Sequence, residues 1–222
     1  MDSHERAFDK ELGDLKNKLV RMAGLAEKMI EQAIGELVNR DEQLAAGIPD
    51  FERQVNSLQL EIDEKAVTLL ATHQPVAGDL RLILMASRIS GELERIADLV
   101  INITENVATL VNQPQLKPLI DIPRMAEVAS KMVHESLDAF LRSDVLLAQA
   151  VIMTDDRVDD LKEQILRELL TYMAADPKSI ERAMALILIS RHLERIADHA
   201  TNIAEDVIFL IQGRDVRHPK TR

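Results

Sequence analysis

The chain has 222 residues, 46% hydrophobic and 2% aromatic, with no cysteine and a formal net charge of −11. Without cysteine there is no disulfide framework and no thiolate metal site, and the acidic balance opposes a nucleic-acid partner, whose phosphates it repels. Few glycines and prolines (seven of each) and no tryptophan suit long helices packed through Leu, Ile, Val, Ala and Met, in one large or two small domains.

The N-terminal stretch "MDSHERAFDKELGDLKNKL" is charged throughout and lacks the apolar core of a secretory signal. The pattern predicts a first helix over Glu5–Asn39. A second is expected over Asp41–Thr72, with Asp41 as its N-cap and a kink or short break at Gly47–Asp50, "GIPD", where proline removes a backbone donor. A third is expected over Gly78–Asn112. The stretch "NQPQLKPLIDIP", with three prolines, reads as a linker. Three further helices follow over Pro123–Leu141, Asp144–Ala175 and Pro177–Gln212. Asp144 suits an N-cap, Pro177 a first helical turn and Gly213 a C-terminal stop. The tail "GRDVRHPKTR" is basic and is expected to fray, although it could contact an acidic partner. The longest apolar run, "AMALILI", is far shorter than the roughly 20 residues that span a bilayer, so a soluble protein is expected.

Two halves of this string repeat one another. "LERIADLVINITENV" from Leu93 recurs as "LERIADHATNIAEDV" from Leu193, at an offset of 100 residues. Upstream the offset is 103: Lys28-Met29 pairs with Lys131-Met132, Asp41 with Asp144, Val55 with Val158 and Leu58 with Leu161. It falls to 102 at Pro75 and Pro177, so the first copy has the longer middle loop, "ATHQPVAGDL". Colinear matches over about a hundred residues indicate an internal duplication. Short loops between long helices imply antiparallel neighbours. The predicted fold is therefore all-α, a tandem repeat of two antiparallel three-helix bundles. Residues 1–112 form the first repeat, 113–122 the linker, 123–213 the second repeat and 214–222 the tail.

The third helix of each copy has two faces. Ile89, Leu93, Ile96, Val100, Ile103 and Val107 follow a 4-3-4-3-4 spacing, as do Ile189, Leu193, Ile196, Ala200, Ile203 and Val207. That is a core seam. Opposite it lie Glu94, Asp98, Asn102 and Glu105, and in the second copy Glu194, Asp198, Asn202 and Glu205. A solvated face would explain these residues. Against that, like charges at i,i+4 cost an isolated helix roughly 0.2–0.5 kcal/mol, and both copies keep them. Paired carboxylates one turn apart, followed by an amide oxygen, suit a hard cation such as Mg²⁺, Ca²⁺, Mn²⁺ or ferric iron. Glu94, Asp98, Asn102, Glu194, Asp198 and Asn202 are the candidate metal ligands. No Glu-x-x-His, phosphate-binding glycine loop or nucleophile motif is present. His192 and His199 flank the seam and are expected to pack or cap.

Three stretches resemble the PhoU family: "HQPVAGDLRLIL" (73–84), "ELERIADLVINI" (92–103) and "SRHLERIADHATNIAEDVIFLIQGRDVRH" (190–218). The resemblance covers nearly the whole chain. It implies a non-enzymatic, cytoplasmic negative regulator of phosphate uptake and of the phosphate-starvation response. Such an adaptor links the ATPase subunit of the Pst transporter to a PhoR-type sensor kinase, commonly as a homodimer, and reaches the membrane only through these partners. It also implies metal clusters in some members, held through E/D-x-x-x-D motifs that match Glu94, Asp98, Glu194 and Asp198. A metal-binding enzyme or metal store using the same carboxylates is the alternative.

Overall fold

The computed structural model describes residues 3–213 and places six long helices there: α1 (Ser3–Asn39), α2 (Ile48–His73), α3 (Ala77–Val111), α4 (Asp121–Arg142), α5 (Val145–Ala175) and α6 (Ile180–Gln212). A single 3-10 turn, Pro177–Ser179, leads into α6. No described helix is long and apolar enough to cross a membrane.

The 4-3-4-3-4 seams are core. All twelve seam residues of α3 and α6 are fully buried. On α1, Leu15, Leu19, Met22, Ala26, Met29 and Ala33 follow the same period and are equally buried. α1, α2 and α3 pack on one another, as do α4, α5 and α6, giving the two expected three-helix bundles. The bundles share one core, since α3 packs along α6 and α1 along α4. α2 touches only its own repeat, and α5 likewise, so these two helices flank a four-helix centre. Contacts fix the direction of the central pair: Arg81 Nε donates to the Leu210 carbonyl, Arg88 pairs with Asp206, and Glu92 meets His199. Sequence number rises along α3 as it falls along α6, so the two run antiparallel about a pseudo-twofold axis.

The helix ends follow local chemistry, with one departure. Asp144 caps α5 by accepting from Leu147 N, and Gly213 ends α6 in the left-handed region at φ 64°. Asp41 does not cap a helix. Arg40 leaves α1 at φ 57°, Asp41 accepts from Gln43 N within a turn, and α2 starts only at Ile48, with a proline in its first turn. "GIPD" is therefore a helix start and not a kink, because Pro49 sits where its missing N–H is not needed. Pro177 opens the 3-10 turn, and Asp176 caps that turn through Lys178 N. The segment after α3 is anchored: the Arg40 guanidinium donates to the carbonyls of Leu110, Val111 and Gln113. Buried Lys117 pairs with Glu168 of α5. The basic tail lies outside the described residues.

Candidate functional site

The acidic residues of α3 and α6 do not form a free ribbon. They line the groove that each makes with the flanking helix of its own repeat. In the first repeat Glu94 feels Asp98 on α3 and Glu52 on α2. In the second, Glu194 and Asp198 face Asp155 and Asp159 on α5. Glu52 with Asp155, and Asn56 with Asp159, share the offset of 103 that pairs Val55 with Val158. That offset was the available signal for a further carboxylate in the first repeat and a further carboxylate pair in the second.

Electrostatics separates the two clefts. Burial, then repulsion from Asp98, raises the Glu94 carboxyl above its ordinary range. In the second cleft burial, then Asp198, Asp159, Glu194 and Asp156, push Asp155 up to about 6. Asp198 is raised too, by burial and then by Glu194 and Asp159. Lys162 lies between two of these acids, 2.6 Å from Asp159 and 3.0 Å from Glu194. Its ammonium is raised above the usual lysine range, first by the hydrogen bond to Asp159 and, against burial, by Glu194. The first repeat has Gln59 at the matching position, and Asn56 there donates to Glu52.

The two asparagines of the predicted set act elsewhere. Asn102 Nδ2 donates to the Asp98 carbonyl one turn back. Asn202 Nδ2 reaches across to Glu92 of α3, at 3.0 Å. The drift of an α-helix against a strict four-residue step explains this: four residues advance about 400°, so a stripe that starts toward α5 turns toward α3. His199 is largely buried, as expected of a packing residue, but it also bonds: its Nδ1 meets Glu92 at 2.7 Å and ties the repeats together. Burial lifts the Glu92 carboxyl, but the hydrogen bonds from His199 and Asn202 outweigh it and hold it below the ordinary range. His192 is half-buried, with Nδ1 lacking a hydrogen-bond partner, and burial followed by Arg195 and Arg191 lowers its pKa. Asp206, also unremarked in the sequence, is buried and pairs with Arg88 at 2.9 Å.

The donor chemistry of both clefts suits a hard cation. Among the described residues, however, no three acidic or histidine side chains stand close enough together to hold a metal ion. In the second cleft Lys162 already supplies a positive charge. A groove of about 760 Å³ runs between α1 and α4, and none of these acids lines it.

A PhoU domain model matches residues 19–107 and again 122–207, once in each bundle. The chain belongs to the PhoU family. Over 212 residues it is 41% identical to the phosphate-specific transport system accessory protein PhoU homolog of Pseudomonas aeruginosa, across 95% of this chain and 88% of that one. The crystal structure of PhoU from Pseudomonas aeruginosa superposes with a TM-score of 0.89 at 39% identity, over 93% of this chain and 100% of the other. That of the phosphate transport system regulatory protein PhoU from Streptococcus pneumoniae superposes at 0.87 and 26% identity, over 95% and 100%. PhoU relatives carry the names of accessory and regulatory proteins.

Proposed function

We propose that this chain is a cytoplasmic accessory regulator of phosphate uptake that restrains the phosphate-starvation response when phosphate is plentiful. In this reading it is an adaptor between the ATPase subunit of a Pst-type transporter and a PhoR-type sensor kinase, and it reaches the membrane only through them. The carrying observation is the family match across both repeats and nearly the whole chain. The fold supports the reading physically. Two bundles on one core present two carboxylate clefts in fixed relation, which suits holding partners and not bond chemistry. Each cleft can meet a basic patch, and transporter conformation shifts which contacts form. A homodimer fits the same scheme. The test is a phosphate-starvation reporter in high-phosphate medium. Deleting the gene should switch the reporter on; a reporter that stays silent contradicts negative regulation.

A second reading concerns the clefts themselves. Burial, and then the acidic neighbours that oppose a further negative charge, raise the Asp155 carboxyl to about 6. A hard cation would relieve that opposition. Glu52, Glu94 and Asp98 in the first cleft, and Asp155, Asp159, Glu194 and Asp198 in the second, would have to close on it, because as placed no three of them stand near enough to hold one. When bound, such an ion supplies neutralisation and a bridge to a partner's oxygen ligands. The asparagines contribute less, since their amides bond to Asp98 and Glu92. Calorimetric titration with Mg²⁺ and Mn²⁺ should show saturable binding, its first-cleft component lost on Glu94→Ala with Asp98→Ala; no heat beyond dilution contradicts it.

A further inference from the structure

We propose that the crossing of α3 and α6 carries a binding site for inorganic phosphate, with Arg95 and Arg195 as its principal ligands. Duplication sets like against like here. The Glu92–His199 and Arg88–Asp206 contacts place the pseudo-twofold axis near residue 95 of α3 and residue 195 of α6. The two arginines, equivalent in the two copies, therefore meet at its centre. Both line one open cavity of about 320 Å³, together with Asp98, Leu99, Asn102 and His199.

Neither guanidinium makes an ion pair or hydrogen bond with a described residue. Arg88, in the same interface, has Asp206. Two guanidiniums line one cavity in a chain of net charge −11; Arg95 also feels Glu92 and Glu94, and an anion between the arginines would be held from both sides. The planar guanidinium fork matches the oxygens of a phosphate in bidentate fashion. His199 uses Nδ1 on Glu92, which leaves Nε2 for the cavity. Asn102 uses one amide hydrogen on the Asp98 carbonyl and retains the other.

Asp98 narrows the choice of anion. It is the one carboxylate lining the cavity, and an ionised carboxylate only accepts hydrogen bonds. Phosphate keeps a proton near neutral pH and can donate it to Asp98; sulfate has none to donate and is repelled. The same Asp98 borders the first acidic cleft, so an ion at the axis is coupled to that cleft through one side chain. This step goes beyond the adaptor reading. Its test uses purified protein, so its failure leaves the reporter result standing, and the reverse holds as well.

The experiment is calorimetric titration of the full chain at constant ionic strength with inorganic phosphate, sulfate and a phosphoserine peptide. The expected result is saturable phosphate binding at one ion per chain, with sulfate at least about tenfold weaker. Arg95→Gln and Arg195→Gln should each weaken phosphate by about tenfold or more. Asp98→Asn should bring sulfate up to the level of phosphate. Thermal unfolding in phosphate-free buffer controls for folding: each arginine variant should melt close to the wild-type temperature, because both side chains are exposed. The proposal is overturned by any of three outcomes. These are no saturable binding at millimolar phosphate, phosphate binding retained by a folded Arg95→Gln/Arg195→Gln double variant, and tighter binding of the peptide than of the free ion.

Discussion

The two acidic clefts descend from one sequence and reach the same formal charge by different routes. The first has three carboxylates (Glu52, Glu94 and Asp98) and no cation ion-paired to any of them, although Arg95 draws on Glu94, with Asn56 and Gln59 at the matching positions. The second has four, Asp155, Asp159, Glu194 and Asp198, with Lys162 among them. A neutral amide pair in one copy stands where the other has an ion pair one turn apart on α5. Both clefts come to a formal −3, but only the second contains its own counter-ion. The duplicated architecture thus keeps the field of each cleft while changing whether an external cation or basic partner is needed to neutralise it. The same exchange occurs at the inter-repeat contact, where Asp206 matches Asn106. Asp206 pairs with Arg88, whereas Asn106 donates to the carbonyl of Asn102.

Breaking the Arg88–Asp206 contact should cost most. Arg88→Met deprives a buried carboxylate of its guanidinium and should destabilise by about 2 kcal/mol, less than a fully buried pair because Arg88 is partly solvated. Asp206→Asn, which copies the first repeat, should cost less than half of that. Paired urea unfolding curves check both; equal costs would mean that the carboxylate is not the sensitive partner.

Next comes Asp155. Its carboxyl titrates near 6 in the fold, above the usual value near 3.9 in an unfolded chain. Between those values the folded state holds the extra proton, so stability falls as pH rises from about 4 through 6. Asp155→Asn should remove that fall. It should stabilise by about 2 kcal/mol at pH 8 and change little at pH 4. Melting curves at the two pH values test it, and a variant destabilised at pH 8 contradicts it.

Lys162→Gln should cost about 1 kcal/mol, since the lysine and its partners are partly exposed. Adding Asp159→Asn, which recreates the first-repeat pattern, should recover most of that loss; two costs that simply add would remove the case for a compensated exchange. The smallest effect belongs to divalent ions. Mg²⁺ should raise the melting temperature by about 2–4 °C at most, through the first cleft, which has no lysine. Glu94→Ala should abolish the rise. A rise lost instead with Glu194→Ala would reverse the assignment of the two clefts.

Much of this was legible in the sequence, for a physical reason: a seam repeats along one helix, so Ile89 to Val107 could be counted as core before any neighbour was known. The duplication likewise exposed Glu94, Asp98, Glu194 and Asp198. What escaped notice lies between helices. Glu52, Asp155, Asp159 and Lys162 acquire meaning only when α2 and α5 are laid against α3 and α6. Only the constant offset of 103 hinted at that arrangement. The reach of Asn202 to Glu92 was not legible, because a four-residue step drifts around the helix and Glu92 lies at the end of that drift. The start of α2 was misplaced because Asp41 matches Asp144 in sequence but not in role. Arg40 takes a left-handed conformation, and the chain then needs seven residues of turn before Pro49 can open the helix.

The account stands most directly on whether the carboxylate clefts take part in regulation. The deciding measurement is the high-phosphate reporter in a deletion strain that carries Glu94, Asp98, Glu194 and Asp198 all changed to Ala, expressed at the wild-type level and with a wild-type melting temperature. Failure of this variant to silence the reporter is the predicted result. Full silencing would contradict it and leave the repeated acidic motif without a part in the switch.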